Sequence, residues 1–261
     1  MGAKTKIDWC DASWNPVTGC LHGCEYCYAR GIANRFGLPY APKLGDPGME
    51  GAKKYDSAEG MDTMLELAKP YEKNGRKQPY PMGFLPTLHR YKLDEPRHWK
   101  KPRTIFVCSM ADLFGEWVPG KWIRDVFDAC AEAPQHRYIF LTKHPWRYAE
   151  LAADGKLPMN RNFWFGTSVT TPADPCFCSN IVNAFASVEP MLSPFGGFRI
   201  GSIRWAIIGA ETGNRRGKVV PEKEWVMCFA DACQRIGIPV FMKESLRGIM
   251  GEDFRQEFPW E

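Results

Sequence analysis

Short apolar runs alternate with amphipathic stretches along the last two thirds of the chain. The runs are rich in Val, Ile, Phe and Trp, and polar and apolar residues do not alternate strictly within them. This pattern is typical of strands that are buried on both faces of a parallel sheet. It predicts strands over residues 104–108, 137–141, 163–167, 184–188, 204–208 and 239–242. A first strand near residues 14–18 brings the total to about seven.

Helical periodicity fills several of the gaps between these strands. One predicted helix, over residues 121–132, places on one face Trp122, Ile123, Val126, Phe127 and Cys130. A second, over residues 222–236, places on one face Trp225, Cys228, Phe229, Ala232, Cys233 and Ile236. A shorter helix is predicted over residues 146–153. We therefore expect an α/β fold, a complete or partial (β/α) barrel of about six to seven parallel strands, with an open doubly wound sheet as the alternative.

The stretch over residues 37–101 interrupts this rhythm. It is rich in Gly, Pro and Lys and contains one predicted helix near residues 57–69. We interpret it as a long insertion after the first strand, because a connection of this length is usually functional or has structure of its own. No domain boundary is predicted, and residues 1–261 are expected to form a single (β/α) domain.

The composition is that of a globular protein. Hydrophobic residues make up 44% and charged residues 25% of the 261 residues, which excludes disordered, collagen-like and simple coiled-coil proteins. No apolar run approaches the roughly 20 residues of a membrane-spanning helix, and the first residues lack the apolar segment of a secretion signal. We expect a cytoplasmic protein that does not contact membranes. The net charge of +4 permits a nucleic-acid partner without requiring one.

Three of the ten cysteines are crowded into one short segment. Cys20, Cys24 and Cys27 follow the spacing C-x3-C-x2-C on a glycine-containing loop after the first predicted strand. Thiolates bind zinc and iron–sulfur clusters. A structural zinc site needs a fourth ligand, for which His22 is available inside the loop. The spacing leaves three alternatives open: a zinc-stabilised nucleic-acid-binding protein, a structural cluster, and a cluster with an open iron position.

The residues around the cysteines carry a resemblance to a known family. The C-x3-C-x2-C spacing with Tyr26 before the last cysteine resembles the signature of the radical S-adenosylmethionine enzymes. Segments such as IDWCDASWNPVTGC, QHRYIFLTKHPWR and WAIIGAETG resemble a phage-associated radical-SAM-like family with a three-cysteine motif. The string GCLHGCEYCYAR also resembles the spore photoproduct lyase-like group. The resemblance extends from about residue 6 to the last residues, apart from part of the insertion over residues 40–80.

This resemblance implies an enzyme with two cofactors. Cys20, Cys24 and Cys27 would bind a 4Fe–4S cluster, which reductively cleaves S-adenosylmethionine to a 5′-deoxyadenosyl radical that abstracts hydrogen from the substrate. An electron donor such as flavodoxin or ferredoxin would be a partner. The superfamily usually has a Gly-Gly-Glu element after the second core strand, where this chain has Cys108-Ser109-Met110-Ala111-Asp112. The residues implied in cofactor binding are Tyr26, Ser109, Asp112, Thr167 and Ser168.

Polar residues follow most of the predicted strands. In parallel α/β folds, the carboxyl ends of the strands and the loops after them form the active site. Glu211 belongs to Ile208-Gly209-Ala210-Glu211, which resembles the missing element but follows a much later strand, so it is a candidate on the substrate or ribose side. The candidate catalytic residues are Lys143, Glu189, Glu211 and Lys243.

Basic and aromatic residues are interleaved before residue 104, among them Tyr40, Tyr55, Tyr71 and Tyr80. Such a pattern suits phosphate contacts and base stacking, so a nucleotide or a DNA base is the expected substrate; a solvated lysine-rich loop is the alternative. Cys176 and Cys178 are too few to hold a second cluster alone and are interpreted as loop thiols. The cysteines expected to be buried as small apolar side chains are Cys108, Cys130, Cys228 and Cys233.

Overall fold

A parallel seven-stranded sheet is the central feature of the computed structural model, which describes residues 5–38, 41–55, 64–198 and 200–261. The described strands are β1 (Ala12–Trp14), β2 (Val17–Thr18), β3 (Lys53–Tyr55), β4 (Met64–Leu67), β5 (Glu72–Lys73), β6 (Arg76–Lys77), β7 (Thr87–His89), β8 (Thr104–Val107), β9 (Arg137–Thr142), β10 (Phe163–Val169), β11 (Asn183–Val188), β12 (Ala206–Ile208) and β13 (Val240–Met242). The described α-helices are α1 (Tyr28–Phe36), α2 (Gly120–Ala131), α3 (Trp146–Ala153), α4 (Lys223–Arg235) and α5 (Arg247–Met250).

The strand order in this sheet is β1-β8-β9-β10-β11-β12-β13. The order follows the chain in one direction and never reverses, as a doubly wound sheet would require. The sheet curls into part of a barrel, which confirms a partial (β/α) barrel and excludes the doubly wound alternative. Helices α2, α3 and α4 lie in the crossovers that follow β8, β9 and β12.

The chain divides into two compact units. The first consists of Met1–Thr5 and Ala12–Tyr138. It holds β1 and β8 and a second sheet of order β2-β7-β4-β3. Three of the strands in this second sheet come from the segment over residues 37–101, so the predicted insertion does have structure of its own. Buried side chains of β8 and α2, such as Ile105, Trp122 and Val126, form part of the apolar interior of this unit.

The second unit consists of Lys6–Asp11 and Ile139–Glu261. Its apolar side chains include a cluster of aromatic rings around Trp205, which is fully buried. Trp205 makes edge-on contacts with Trp164 and Trp260, at ring-centroid distances of 6.3 Å and 5.2 Å. The Trp205 indole N–H donates to the carbonyl of Glu257 at 2.9 Å. The last residues of the chain are thereby packed against the sheet of this unit.

The predicted strands after the first are confirmed within two residues of their bounds, but the first differs from the prediction. The strand expected near residues 14–18 is divided, because Ala12–Trp14 pairs with β8 and Val17–Thr18 pairs with β7 in the second sheet. The strand expected over 204–208 begins only at Ala206.

The helix predictions had mixed outcomes. The helices expected over 121–132 and 146–153 are confirmed by α2 and α3. The helix expected near 57–69 is wrong at Met64–Leu67, which is a buried strand between β3 and β7; residues 57–63 lie outside the described ranges. No helix in the described ranges has the length and apolar character needed to cross a membrane.

Helix α4 is confirmed, but the face it buries is shifted from the predicted one. The buried residues Val226, Phe229, Ala230 and Cys233 have the spacing i, i+3, i+4, i+7 of a helix packed on a sheet. Ile236 is 57% exposed and Cys228 is also exposed, so the predicted burial of Cys228 is wrong. Burial of Cys108, Cys130 and Cys233 is confirmed.

Candidate functional site

The cysteine loop, residues 19–27, connects β2 to α1. Its first residue, Gly19, has φ +90° and donates its N–H to the carbonyl of Met110 at 2.9 Å. A Cβ atom on Gly19 would lie 2.2 Å from the carbonyl oxygen of Leu85, so only glycine fits here. The N–H of Cys20 donates to the carbonyl of Phe84 at 3.1 Å. Backbone contacts on two sides therefore hold the start of this loop.

The three cysteines of this loop lie near one another. Each is half-buried and none forms a disulfide. Burial raises the pKa of the Cys20 thiol to about 12, and the negative charges of Asp112, Cys24 and Cys27 contribute to the rise. Cys27 caps α1, and its sulfur accepts a hydrogen bond from the N–H of Arg30 at 3.4 Å. The loop thus presents three half-buried thiols within eight residues.

The chemistry of this donor set fits an iron–sulfur cluster, because thiolates are its usual protein ligands. Across the described ranges, however, no three His, Cys, Asp or Glu side chains are arranged to hold a single metal ion. The prediction that Cys20, Cys24 and Cys27 are cluster ligands therefore stands on their chemistry and proximity.

A hydrogen bond between side chains ties the cysteine loop to the segment after β8. His22 Nε2 lies 2.7 Å from Asp112 Oδ2, and the imidazole packs edge-on against Trp117 with ring centroids 4.8 Å apart. Asp112 is 6% exposed, and its other oxygen accepts the N–H of Phe114 at 3.0 Å. Each Asp112 oxygen thus already has a hydrogen-bond partner within the fold, and this side chain anchors the cysteine loop.

The chain turns sharply directly after β8. Cys108 is buried with φ +59°, a left-handed conformation that costs a residue with a side chain about 1 kcal/mol or more. The turn presents Ser109, whose hydroxyl donates to Asn15 Oδ1 at 3.2 Å. The carbonyl of Ser109 accepts the hydroxyl of Tyr28 at 2.7 Å. Tyr26, the other aromatic residue of the motif, is half-buried in the cysteine loop. Ser109 and Tyr26 are therefore both accessible in part.

Four polar side chains from four strand ends are connected in the second unit. Lys143, after β9, donates to Ser168 Oγ at 3.2 Å. Ser168, near the end of β10, donates to the carbonyl of Glu189 at 3.3 Å. Glu189, after β11, forms an ion pair with Lys243, after β13, and their side chains are 25% and 18% exposed. These residues form what we call the strand-end network: Lys143, Ser168, Glu189 and Lys243.

Two further residues shape the surroundings of this network. A Cβ atom on Gly209 would lie 2.9 Å from Lys243 Cδ and 3.2 Å from Glu189 Cγ, so the glycine leaves room for the ion pair. Ser187 is paired in register with Ser168, and its hydroxyl is buried without a hydrogen-bond partner in the described structure. A buried hydroxyl without a partner costs about 1–3 kcal/mol.

Thr167 and Glu211 are bound to other partners. Thr167 is fully buried, and its hydroxyl accepts the N–H of Phe177 at 3.0 Å. Glu211 pairs with Arg215 through two contacts of 2.7 Å and 2.8 Å. The hydrogen bonds of the Arg215 guanidinium hold the pKa of Glu211 below its usual value. Glu211 is therefore a carboxylate whose charge is already compensated.

The structure thus groups the predicted residues in two sets, one in each unit. Sequence reasoning missed the contacts of His22 with Asp112 and of Asn15 with Ser109, since these residues are 90 and 94 positions apart. It also did not single out Ser187 or Arg215. Among the aromatic residues proposed to stack on bases, Tyr71 is buried and unavailable. Tyr40 and the side chain of Tyr55 lie outside the described part of the chain.

Residues 4–249 match a protein family described as Protein of unknown function (DUF5131). The chain belongs to this family. No curated protein matches its sequence. The family match covers the cysteine loop and the strand-end network alike.

The fold is similar to that of two solved structures of spore photoproduct lyase. One is the enzyme complexed with dinucleoside spore photoproduct, at 10% identity and a TM-score of 0.49. The other is a mutant with the same dinucleoside, at 11% identity and a TM-score of 0.50. Each comparison covers 93% of this chain and 79% of the other. At such low identity the likeness concerns the fold alone, and the second comparison agrees with the partial barrel.

Proposed function

We propose that the chain is a radical S-adenosylmethionine enzyme in which Cys20, Cys24 and Cys27 bind a 4Fe–4S cluster. The observation that carries this proposal is the grouping of three half-buried thiols within the eight residues of one loop. Three thiolate ligands leave one iron of a four-iron cluster open to a cofactor. The partial barrel and the resemblance of the three-cysteine motif support the same assignment.

The residues of the first unit would hold the cofactors. When bound, the cluster and S-adenosylmethionine supply a 5′-deoxyadenosyl radical. Asp112 fixes the cysteine loop through His22, because both of its oxygens accept hydrogen bonds within the fold. Ser109 lies three residues before Asp112 and is half-buried. Its hydroxyl oxygen can accept a hydrogen bond from the amino group of S-adenosylmethionine. Tyr26 would contact the cofactor from the cysteine loop.

The strand-end network would bind and orient the substrate. Lys143 and Lys243 offer ammonium groups to phosphate or hydroxyl oxygens, and Glu189 accepts hydrogen bonds. The buried hydroxyl of Ser187 adds a polar group that a ligand can satisfy. Thr167 would act by fixing the end of β10, and Glu211 with Arg215 would border the same strand ends.

We propose a nucleotide or a DNA base as the substrate. Exposed basic residues such as Lys54 and Arg76 in the first unit suit phosphate contacts. Spore photoproduct lyase, which is similar in fold, is complexed with a dinucleoside. An electron donor such as flavodoxin or ferredoxin would supply the electron for each turnover.

Anaerobic purification tests the enzyme class. The expected protein is brown, contains about four irons per chain, and forms 5′-deoxyadenosine from S-adenosylmethionine with dithionite. Cys24→Ala should lose both the colour and the cleavage, whereas the matched variant Cys228→Ala, at an exposed thiol of α4, should keep both. Transfer of deuterium from labelled dinucleotides into 5′-deoxyadenosine would support the substrate class.

Three results would contradict this function. A colourless protein that contains zinc would indicate a zinc-stabilised binding protein. A brown protein that cleaves no S-adenosylmethionine would indicate a structural cluster. Retention of cleavage in Cys24→Ala would refute the assignment of that ligand.

A further inference from the structure

A pair of cysteines outside the proposed cluster site occupies the crossover from β10 to β11. Cys176 and Cys178 are separated by Phe177, and this crossover contains no helix. Cys176 is half-buried, whereas Cys178 is exposed. Both belong to the second unit, and the proposed cluster ligands belong to the first. The pair can therefore be considered independently of the proposed function.

The loop that carries this pair is fixed on both sides. Before it, Asp174 accepts the N–H groups of Thr170 and Thr171 at 2.6 Å and 3.1 Å. Between the cysteines, the N–H of Phe177 donates to Thr167 Oγ1 at 3.0 Å. After the pair, the N–H of Ser179 donates to the carbonyl of Ser202 at 2.9 Å. These contacts hold the two thiols in a defined arrangement.

The two thiols influence each other's pKa, and the Cys176 S–H lies 3.8 Å from the carbonyl of Phe177. Cys178 also receives hydrogen bonds from the backbone N–H groups of Gly201 and Ser202. A Cβ atom on Gly201 would lie 2.7 Å from Cys178 Sγ, so glycine permits this close approach. The exposed sulfur of Cys178 thus has backbone donors beside it, and a thiolate is the form that gains from such donors.

The surroundings shift the pKa values of the two thiols in opposite directions. The hydrogen bond from Cys176, followed by those from Gly201 and Ser202, lowers the pKa of Cys178 to about 7. The same contact, together with burial, raises the pKa of Cys176. An exposed thiolate next to a retained thiol is the arrangement of an attacking and a resolving cysteine.

We propose that Cys176 and Cys178 form a dithiol that exchanges with small-molecule disulfides and closes into an intramolecular disulfide. The Cys178 thiolate attacks one sulfur of the disulfide, forms a mixed disulfide and releases one thiolate. Cys176 then loses its proton to that thiolate or to solvent and attacks the Cys178 sulfur, which releases the second thiol. The protein dithiol is oxidised and the small disulfide is reduced to two thiols, so electrons and protons balance.

Peptide mapping tests this proposal directly. Trypsin cleavage after Arg161 and Arg199 yields residues 162–199, which contain Cys176 and Cys178 and no other cysteine. The anaerobically purified protein is incubated with oxidised glutathione, treated with N-ethylmaleimide and digested. We expect this peptide to be lighter by two hydrogens and unlabelled, and dithiothreitol to restore two labelling sites.

The rate of the first step provides a second measurement. At pH 7 we expect Cys178 to react about fivefold faster than Cys228, an exposed thiol on α4, because the lowered pKa of Cys178 raises its thiolate fraction more than it reduces its nucleophilicity. Cys176→Ser should stop at the glutathione mixed disulfide on Cys178. Cys178→Ser should leave Cys176 largely unmodified over the same time. Thermal denaturation of each variant shows whether it remains folded.

Several results would overturn the proposal. Cys176 and Cys178 would be ordinary loop thiols if both were still labelled by N-ethylmaleimide after glutathione treatment. The same would follow if Cys178 and Cys228 reacted with oxidised glutathione at equal rates. Bound zinc or copper that protects the peptide from labelling would identify a metal site instead. None of these results involves Cys20, Cys24 or Cys27, so failure here is separable from failure of the proposed enzyme function.

Discussion

The two sets of candidate residues are held in place by different kinds of contact. The cysteine loop starts with backbone hydrogen bonds from Gly19 and Cys20 to neighbouring segments. The strand-end network is connected mainly through side chains, as in the ion pair between Glu189 and Lys243. The geometry of the cysteine loop is thus set by backbone contacts. Side chains of the strand-end network, in contrast, can be substituted while the backbone keeps its conformation. Substitutions should therefore separate effects on stability from effects on activity.

The largest expected effect on stability is that of Gly19→Ala. The added Cβ would lie 2.2 Å from a backbone oxygen, and φ is +90°, so both strain and a clash with backbone must be relieved. We expect a loss of about 3 kcal/mol in the free energy of unfolding, together with loss of bound iron. Urea denaturation and iron analysis measure the two.

Gly23→Ala is the matched control within the same loop. Gly23 also has a positive φ, +74°, but a Cβ atom there would meet nothing within 4 Å. Only the conformational strain remains, and we expect a loss of about 1 kcal/mol. Equal losses for the two variants would mean that contact with the Leu85 carbonyl does not hold the loop.

A smaller effect is expected at the ion pair between Glu211 and Arg215. The Glu211 side chain is 2% exposed and Arg215 is 29% exposed, so the pair is partly shielded from solvent. Removal of its guanidinium by Arg215→Met should cost about 1.5–3 kcal/mol at pH 7. The neighbouring exposed residue Arg216 provides a control, since Arg216→Met removes the same charge.

The pH dependence of this ion pair has a definite sign. The pKa of Glu211 is lower in the folded chain than its usual value, so the folded state favours the carboxylate. The stabilisation is complete above the usual glutamate value of about 4.3 and is lost as the pH falls through the folded pKa. Stability of Arg215→Met should therefore fall less steeply below about pH 4.3 than that of the parent. Identical acid slopes would rule out this contribution.

The strands of the barrel could be predicted because each is recognisable from local sequence. The runs at β8, β9, β10 and β11 are apolar and rich in Phe, Ile and Val, and burial on both faces selects such residues whatever their neighbours. The cysteine loop was found for the same reason, since its three thiols lie within eight residues. Local patterns thus located the sheet and one candidate site.

The remaining features depend on contacts that are distant in sequence. Met64–Leu67 contains good helix formers, yet pairing with β3 and β7 makes it a strand. The contact of His22 with Asp112 spans 90 residues, and that of Lys243 with Glu189 spans 54. The need for glycine at position 19 comes from Leu85, in another segment. No spacing rule connects such positions, so only the folded structure shows them.

The smallest expected change in stability, and the sharpest test of the comparison, is that of Lys243→Met. Its partner Glu189 keeps 25% of its side chain exposed, so solvent compensates much of the lost ion pair, and we expect less than about 1 kcal/mol of destabilisation. Substrate-dependent formation of 5′-deoxyadenosine should nevertheless fall about 100-fold if this ammonium group contacts the reacting substrate.

Lys223→Met is the control, because Lys223 pairs with Asp253 at 2.6 Å in the same unit and both side chains are nearly half exposed. Its activity should be unchanged. A loss of several kcal/mol for Lys243→Met would show that the Glu189 pair serves the fold, and the contrast between a backbone-held and a side-chain-held site would then fail.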